Sequence, residues 1–262
     1  MATVRVAALG DLHCTKSSQG AFQPLFAAIR DSADVVLLAG DLTDYGLVEE
    51  AEVLAKELST LKLPVAAVLG NHDLESGREA DVARILGDAG VSILDGGACE
   101  LRGVGVAGVS GFGGGFGKRA LSPWGEPAVK QFVQLAIDEA LKLEKALAKL
   151  RTQTIIALLH YAPVVQTVEG EPLEIYPFLG SSRLEEPINR YPVSFVLHGH
   201  AHRGALEGAT ASGVPVYNVS SPLLGRARAD AAPFRVFEVP VADAPKPGSL
   251  EAPKPELAQQ RG

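Results

Sequence analysis

The stretch that decides the fold is Val65–Asp73, with the sequence VAAVLGNHD. An uninterrupted apolar run of this length is typical of a strand buried on both faces, and here it ends in a glycine followed by three polar residues. Two earlier segments have a similar form, because Val4–His13 ends in GDLH and Val35–Asp41 ends in GD. The repetition predicts strands that carry polar groups at their carboxyl ends.

The segments between these strands are helical in pattern. Helices are predicted over Phe22–Asp31, Val48–Leu61 and Arg78–Ala89, and a longer one over Glu126–Arg151. Apolar strands that alternate with helices predict a parallel sheet covered on both faces. Later strands are predicted at 154–159, 193–197, 205–210, 214–219 and 234–239.

Polar residues recur at a fixed spacing in the first half of the chain. Asp11, Asp41 and Asn71 are each separated by 30 residues, which is the length of about one strand–helix–strand unit. Consecutive parallel strands would bring these three side chains to one edge of the sheet. That carboxyl edge is where open α/β sheets bind their ligands.

The second half of the chain continues the pattern with histidines. The strand predicted over 154–159 runs into His160, and the strand over 193–197 runs into the sequence HGHAH of residues 198–202. All six histidines therefore lie at predicted strand ends. Carboxylate, imidazole and amide oxygen suit Mn, Fe, Zn or Ni, and the set is larger than one tetrahedral ion needs. Asp41 is the natural bridge between two ions, which together can hold a hydroxide and neutralise a phosphoryl group.

The composition limits the domain organisation, the binding partners and the location that we expect for this chain. The chain has 262 residues, 47% hydrophobic and 21% charged, which predicts one globular domain over 1–240, and the Pro-rich segment 241–262 is predicted to be disordered. A net charge of −7 gives no general attraction to nucleic acid or to an anionic membrane. No apolar run is long enough to span a bilayer. Two cysteines and the lack of secretory-signal features favour the cytoplasm.

The ordered motifs Asp-x-His, Gly-Asp, Gly-Asn-His-Asp, His and Gly-His-x-His, spread over residues 3–240, resemble the calcineurin-like metallophosphoesterase superfamily. The resemblance implies an α/β fold, a four-layer α/β/β/α sandwich of two mixed sheets flanked by helices, with a dimetal site at the strand ends. It implies one transition-metal ion held by Asp11, His13, Asp41 and His202. It implies a second ion, held by Asp41, Asn71, His160 and His200. Both ions would be divalent or trivalent.

The same resemblance implies roles beside the metal ions. His72, together with Asn71, would contact the substrate phosphate, and His72 would protonate the leaving oxygen. Asp73 would orient His72 by accepting its other ring proton. Outside this set, His198 and Cys14 are predicted to be packing residues, and Asp44 is predicted to be a loop or helix-cap residue.

The sequence differs from the motifs of some named branches of the superfamily, and these differences limit the classes of substrate that we expect. Gly40–Gly46 has no arginine, unlike the Ser/Thr phosphatases, and the pattern is most similar to small bacterial phosphodiesterases of the class III cyclic-nucleotide type. We therefore expect hydrolysis of a phosphodiester, such as a cyclic nucleotide or a similar small substrate, by metal-bound hydroxide. A phosphomonoesterase would use the same metal ions. A DNA nuclease is disfavoured by the acidic charge, and a non-catalytic scaffold by the complete ligand set.

Two connecting segments have open interpretations. The glycine-rich stretch 111–117 is predicted to be a flexible connection between two sheets, with a loop that flanks the site as the alternative. The long connection 163–190 is either a cap that offers Tyr176, Phe178 or Arg183 to the substrate or a surface loop without ligand contact.

Overall fold

The first of two sheets is formed by the N-terminal half of the chain and its last strand. In the computed structural model, which describes residues 2–228 and 230–242, the sheet has the order β11-β1-β2-β3-β4. Its strands are β1 (Ala2–Leu9), β2 (Val35–Ala39), β3 (Val65–Val68), β4 (Val91–Ile93) and β11 (Arg235–Val241). β1 to β4 are parallel, and β11 is antiparallel to β1, so the sheet is mixed.

Three helices cover the outer face of this first sheet: α1 (Gln23–Ser32), α2 (Val48–Leu58) and α3 (Glu79–Asp88). All three predicted helices are therefore present, with ends shifted by a few residues. The start of α2 is fixed by the Glu50 carboxylate, which accepts hydrogen bonds from the backbone N–H groups of Tyr45 and Leu47. A glutamate in the first turn also interacts favourably with the helix dipole.

The second sheet has the order β5-β6-β7-β8-β10-β9. Its strands are β5 (Gly97–Leu101), β6 (Val104–Gly108), β7 (Thr154–Leu158), β8 (Phe195–His198), β9 (Glu207–Ala209) and β10 (Pro215–Asn218). β6, β7, β8 and β10 are parallel, and the two edge strands are antiparallel to their neighbours. The helices of this half are α4 (Pro127–Leu147), α5 (Tyr176–Leu179), α6 (Glu185–Arg190) and α7 (Ser221–Ala227).

The two sheets pack face to face, with helices on both outer faces. Leu37 and Val68 of the first sheet lie in one buried cluster with Ile156 and Leu197 of the second. Each sheet also packs its other face against helices: the first against α1, α2 and α3, the second against α4 and α6. The fold is thus the expected four-layer α/β/β/α sandwich.

Strand β2 shows why the apolar runs are uninterrupted. Val35 and Leu37 face the second sheet, whereas Val36 and Leu38 face the helices, so all four side chains are buried. A strand with two buried faces needs apolar residues at successive positions, not at alternate ones. This burial leaves the strand ends as the places where polar side chains can be accommodated.

The glycine-rich segment does not connect the two sheets, so that prediction is wrong. The chain passes from the first sheet to the second between β4 and β5, at residues 94–96, while residues 111–117 lie between β6 and α4 within the second half. The segment packs against residues 177–182: Gly114 donates its N–H to the Pro177 carbonyl at 2.6 Å, and Gly115 to Gly180 at 2.9 Å. A Cβ atom on Gly113 would lie 2.5 Å from the Pro177 oxygen, so only glycine permits this approach.

The end of the chain is only partly described. Strand β11 reaches Val241, one residue into the segment predicted to be a disordered tail, and residues 243–262 of that tail lie outside the described residues. Across 2–228 and 230–242, no helix combines the length and apolar character needed to cross a membrane.

Candidate metal centre

The carboxyl ends of strands from both sheets meet at one rim of the sandwich. From the first sheet, the turns that follow β1, β2 and β3 supply Asp11, Asp41 and Asn71. From the second sheet, the turns that follow β7 and β8 supply His160 and His200. Side chains that are far apart in sequence are therefore placed together by parallel strands, as the spacing predicts.

Four side chains at this rim form the first cluster. Asp11, His13, Asp41 and His202 each place one potential ligand atom within 4.8 Å of the others. His202 Nε2 lies 3.0 Å from Asp11 Oδ1, and the backbone N–H of His200 donates to the same carboxylate at 2.9 Å. Both aspartates are almost fully buried. This cluster contains the four residues expected to hold the first metal ion.

The second cluster combines Asp41, His160 and His200, and Asn71 adjoins it. His160 Nδ1 donates to the Ala39 carbonyl at 2.9 Å, which leaves Nε2 of the neutral ring as an acceptor. Nε2 faces Asn71 Oδ1 at 3.0 Å. With the amide oxygen turned toward the ring, two acceptor atoms face each other, and a cation bound between them would satisfy both.

Asp41 contacts both clusters through different oxygen atoms. Its Oδ2 lies 3.9 Å from His13 Nε2, on the side of the first cluster. Its Oδ1 lies 3.4 Å from His160 Nε2, on the side of the second. A carboxylate with one oxygen toward each of two ligand sets has the geometry of a bridge between two ions.

His13 provides a second sign that the site suits a cation. Both ring nitrogens are buried and form no hydrogen bond to residues 2–228 and 230–242. Nδ1 does lie 3.3 Å from Asp44 Oδ1, a close contact without hydrogen-bond geometry. A buried imidazole without partners is costly, and a metal ion on one nitrogen would satisfy it. The donor set therefore fits two transition-metal ions.

The charge states follow from burial and from neighbouring charges. Burial and the adjacent His160 lower the pKa of His200 to about 4, so its ring is neutral at pH 7, the form that binds metals. Burial raises the pKa of Asp41, and the negative charge of Asp11 raises it further. A bound cation would reverse this penalty, because it stabilises both ionised carboxylates.

His72 lies directly beside the first cluster. Its ring is 4.5 Å from the His13 ring, centroid to centroid, in an edge-to-face arrangement. Nδ1 donates to the Asp44 carbonyl at 2.7 Å, and Nε2 forms no hydrogen bond to the part of the chain that the structure describes. Burial opposes protonation of His72, but the Asp44 carbonyl and the Asp41 charge outweigh it, and the pKa of His72 is raised.

Asp73 does not orient His72, so that expectation is wrong. Its fully buried carboxylate accepts hydrogen bonds from the backbone N–H groups of Leu42, Thr43 and Gly70 and from the Thr43 hydroxyl. These bonds join the turn after β2 to the turn after β3. Asp73 therefore fixes the relative position of the loops that carry Asp41 and Asn71, instead of contacting the imidazole.

Two residues that sequence reasoning left outside the site contact it. Asp44, expected only to be a loop or cap residue, holds the His72 ring through its carbonyl and faces His13 with its carboxylate. Tyr161 packs its ring 4.5 Å from the His200 ring. The only sequence signals are their positions, three residues after Asp41 and one after His160.

The residues with no assigned role in the site behave as expected. His198 is fully buried, and its ring nitrogens bond to the Thr167 hydroxyl and the Gly199 carbonyl. Cys14 is buried in the core between the first sheet and its helices, and burial raises the pKa of its thiol to about 12.

The backbone of the rim is held in an uncommon conformation. Asp11, His13, Asp41 and His200 all have positive φ angles, between 45° and 67°. Residues other than glycine rarely adopt this left-handed region, and such residues cluster at functional sites when the surrounding structure enforces them. The turns after β1, β2 and β8 are therefore shaped to aim side chains at the rim.

The segment 163–190 reaches the site through its backbone. The Phe178 carbonyl lies 3.2 Å from His200 Nε2, so that nitrogen donates to it and Nδ1 is left facing the cluster. Arg183 instead donates to the Leu121 carbonyl, and Tyr176 packs in a small apolar cluster with Phe116 and Val165. Contact with the site therefore comes from a main-chain atom of Phe178.

Gly40 allows His160 to approach β2, and its replacement is a direct test of the site. Gly40 has φ +82°, and a Cβ atom there would lie 2.4 Å from His160 Nδ1. We expect Gly40→Ala to displace the imidazole and to lower metal affinity and activity by about 10- to 100-fold, the range that follows when a metal ligand loses its orientation. Metal analysis and kinetics measure both effects.

Gly90→Ala is the matched control for this variant. Gly90 also has a positive φ, +93°, but no atom lies within 4 Å of the added methyl group. The Gly90→Ala variant therefore introduces the strain of a positive φ at alanine without a close contact to another side chain. A Gly40→Ala protein with the metal content and activity of Gly90→Ala would contradict the close approach.

Comparison with known protein families gives one match over most of the chain. A family model described as calcineurin-like phosphoesterase matches residues 4–204. This range contains every residue of both clusters, from Asp11 to His202. No curated protein matches the sequence.

Several solved structures have a similar fold at low sequence identity. The protein TT1561 of Thermus thermophilus superposes with a TM-score of 0.52 at 17% identity, covering 91% of this chain and 99% of that chain. A Staphylococcus aureus protein assigned as a 5'-nucleotidase, in complex with alpha-ketoglutarate, gives 0.51 at 16% identity, over 83% of this chain but 48% of that chain. GAP50, the anchor in the inner membrane complex of Plasmodium, gives 0.51 at 15% identity, over 85% and 73%. At these identities the likeness extends to the fold alone.

Proposed function

The chain belongs to the calcineurin-like phosphoesterase family, and from this premise we propose that its rim of histidines and carboxylates hydrolyses a phosphodiester. Membership of this family supports a metal-dependent hydrolase of phosphoric esters. The residues of two ligand clusters are present at one rim. The finer statements, which concern the type of ester and the role of each residue, are proposals.

The proposed ligand sets follow the two clusters. One ion would be held by Asp11, His13, Asp41 and His202 and the other by Asp41, Asn71, His160 and His200, so Asp41 would be shared. Bound there, the two ions would supply a nucleophilic water and neutralise charge on the phosphoryl oxygens. Asp73 holds the loops that carry Asp41 and Asn71 in a fixed relative position, which preserves the spacing between the two ligand sets.

The observation that carries the proposal is the position of His72. Its ring lies beside His13, its Nδ1 is occupied by the Asp44 carbonyl, and its Nε2 is available to a ligand at the rim. An alcohol leaves a phosphodiester poorly unless its oxygen is protonated, and a positioned imidazolium can donate that proton. His72 is thus proposed as the acid, with Asn71 beside it at the phosphate.

A phosphomonoesterase is the second candidate. The same ligand clusters would serve it, and one structural neighbour is assigned as a 5'-nucleotidase, an enzyme of monoesters. The scaffold alternative is weaker, because both ligand clusters are complete. Exclusion of nucleic acid, the cytoplasmic location and the choice among Mn, Fe, Zn and Ni stay predictions, as does the resemblance to class III phosphodiesterases.

Paired nitrophenyl esters test the proposal directly. Protein loaded in turn with Mn, Fe, Zn and Ni is assayed with bis(4-nitrophenyl) phosphate and with 4-nitrophenyl phosphate. We expect kcat/KM to be at least about tenfold higher for the diester, which corresponds to about 1.4 kcal/mol of transition-state stabilisation. Preference for the monoester would assign the phosphomonoesterase activity instead. Absence of turnover with every metal would reject both enzymes.

A further inference from the structure

A tyrosine beside the second cluster has no part in the proposed ligand sets. Tyr161 follows His160 directly, in the turn after β7. The backbone N–H groups of both residues donate to the Ser110 carbonyl, at 2.9 and 3.0 Å. The turn is thus held to the loop after β6, and the Tyr161 residue is half-buried at the rim.

The phenol ring packs against two of the proposed ligands of the second ion. Its centroid lies 4.5 Å from that of His200 and 5.4 Å from that of His160, the latter in an edge-to-face arrangement. The Phe112 ring lies 5.9 Å away. A ring in contact with three others in a close-packed interior has few alternative orientations. The packing therefore fixes the position of the hydroxyl relative to His160 and His200.

Neighbouring charges indicate which groups surround the hydroxyl. Burial, and after it the negative charges of Asp41 and Glu139, raise the pKa of Tyr161 to about 12. Because the interaction with a charge falls with distance, the hydroxyl lies in the neighbourhood of both carboxylates. Asp41 is the carboxylate that faces both clusters, so the hydroxyl lies toward the metal centre. A phenol is a neutral O–H donor at pH 7 even at its ordinary pKa.

The hydroxyl has no hydrogen-bond partner in the part of the chain that the structure describes. The Glu139 carboxylate is engaged elsewhere, because it accepts the Gly111 N–H at 2.9 Å and pairs with Lys142 at 2.8 Å. The oxygen atoms of Asp41 face the two ligand clusters. The hydroxyl of a buried tyrosine usually has a partner, so the Tyr161 hydroxyl is available to a bound ligand.

A phosphoryl group at the rim would meet a donor beside each cluster. His72 lies beside the first cluster, next to His13, and Tyr161 lies beside the second, next to His200. A phosphoryl group under attack spreads negative charge over its oxygens, and donors held in place stabilise that charge. A phenol suits this position, because it donates without a positive charge that would compete with the metal ions for the carboxylates.

We propose that the Tyr161 hydroxyl donates a hydrogen bond to a phosphoryl oxygen of the substrate, on the side of the second ion. The inference rests on the proposed function, which brings a phosphoryl group to the rim, and it adds a catalytic residue to that function. The hydroxyl keeps its proton throughout. Its contact is with the phosphoryl group and not with the leaving oxygen, so the contribution is independent of the alcohol.

Tyr161→Phe removes the hydroxyl and keeps the ring that packs on His160 and His200. Zn²⁺-loaded protein is titrated with inorganic phosphate by calorimetry, and hydrolysis of bis(4-nitrophenyl) phosphate and 4-nitrophenyl phosphate is measured in parallel. We expect the dissociation constant of phosphate to rise by about 10- to 100-fold, the range for a lost hydrogen bond to a charged group. The value of kcat/KM should fall by a similar factor for both esters, with metal content equal to that of the parent chain.

Tyr191→Phe is the matched control. Tyr191 is also half-buried and packs against the same core cluster as Tyr161. Among the described residues, the rings that contact His160 or His200 do not include Tyr191. This variant should bind phosphate and hydrolyse both esters as the parent chain does, within about twofold.

The outcomes separate this inference from the proposed function. Unchanged phosphate affinity in Tyr161→Phe, or no phosphate binding by the loaded parent chain, would overturn the contact even if the diester is hydrolysed. A loss of metal from Tyr161→Phe would overturn it as well, because the hydroxyl would then act through the ions. Weaker phosphate binding by this variant, with metal retained, would support the contact even if the monoester proves the better substrate or neither ester is hydrolysed.

Discussion

Asp41→Asn is expected to lower kcat/KM by at least about a thousandfold, or about 4 kcal/mol. Asp41 Oδ2 faces His13 and Oδ1 faces His160, so one substitution weakens both proposed ligand sets. An amide cannot place an anionic oxygen on each side. We therefore expect metal content to fall from about two ions per chain to one or fewer.

The asparagine variant should remain folded, which makes the result interpretable. The Asp41 Oδ1 atom accepts the backbone N–H of His72 at 2.9 Å, and an amide oxygen can do the same. Burial and the charge of Asp11 raise the pKa of Asp41, so a neutral side chain removes repulsion in the metal-free protein. Thermal unfolding without metal should show equal or higher stability than the parent chain. Two retained ions with undiminished activity would refute the bridging role.

Asp88→Ala provides the control for loss of a carboxylate. Asp88 ends α3 with a largely exposed side chain and pairs only with Arg84 among the described residues. Exposed pairs of this kind contribute about 1 kcal/mol or less. The control should keep its metal content and its activity within about twofold.

His72→Ala is expected to lower kcat by about 10²- to 10⁴-fold without loss of metal. The imidazole lies beside the first cluster and outside the two proposed ligand sets, and its potential ligand atom also groups with those of His13 and Asp44. Removal of the acid should affect poor leaving groups most. The fall should therefore be larger for an alkyl ester than for a 4-nitrophenyl ester, whose leaving oxygen needs little protonation.

Metal analysis and leaving-group dependence together test the role of His72. A structural role would lower metal content or stability and would affect all esters equally. Full activity in His72→Ala would refute a catalytic role, and an equal loss for both esters would refute proton donation.

The residues of the site could be predicted from the sequence where their positions follow from the repeated strand–helix units. Repeated strand–helix units bring Asp11, Asp41 and Asn71 to one edge, and their spacing in the sequence is sufficient to infer this. His160 and His200 follow by the same rule from later strands. Predicting the residues of the rim therefore required no knowledge of loop structure.

The details that were missed depend on loops and on main-chain atoms. Every residue has a carbonyl group, so nothing in the sequence distinguishes Phe178 as the residue that contacts His200. Three of the four hydrogen bonds to Asp73 come from backbone N–H groups, which again have no side-chain signature in the sequence. The glycine-rich segment is not the sheet junction that the sequence predicts, because glycine indicates a close approach or a turn but not which elements it joins.

The left-handed backbone at Asp11, His13, Asp41 and His200 has a consequence for how this sequence can change. Each such residue costs on the order of 1 kcal/mol compared with a relaxed conformation. Glycine at these positions would relieve the strain but would delete the ligand atom. Selection for folding stability alone would thus favour replacement of these four residues by glycine. Only selection for a function that needs their side chains would maintain histidine and aspartate there. A descendant that had become a pure scaffold would be recognisable by glycines at these four turns.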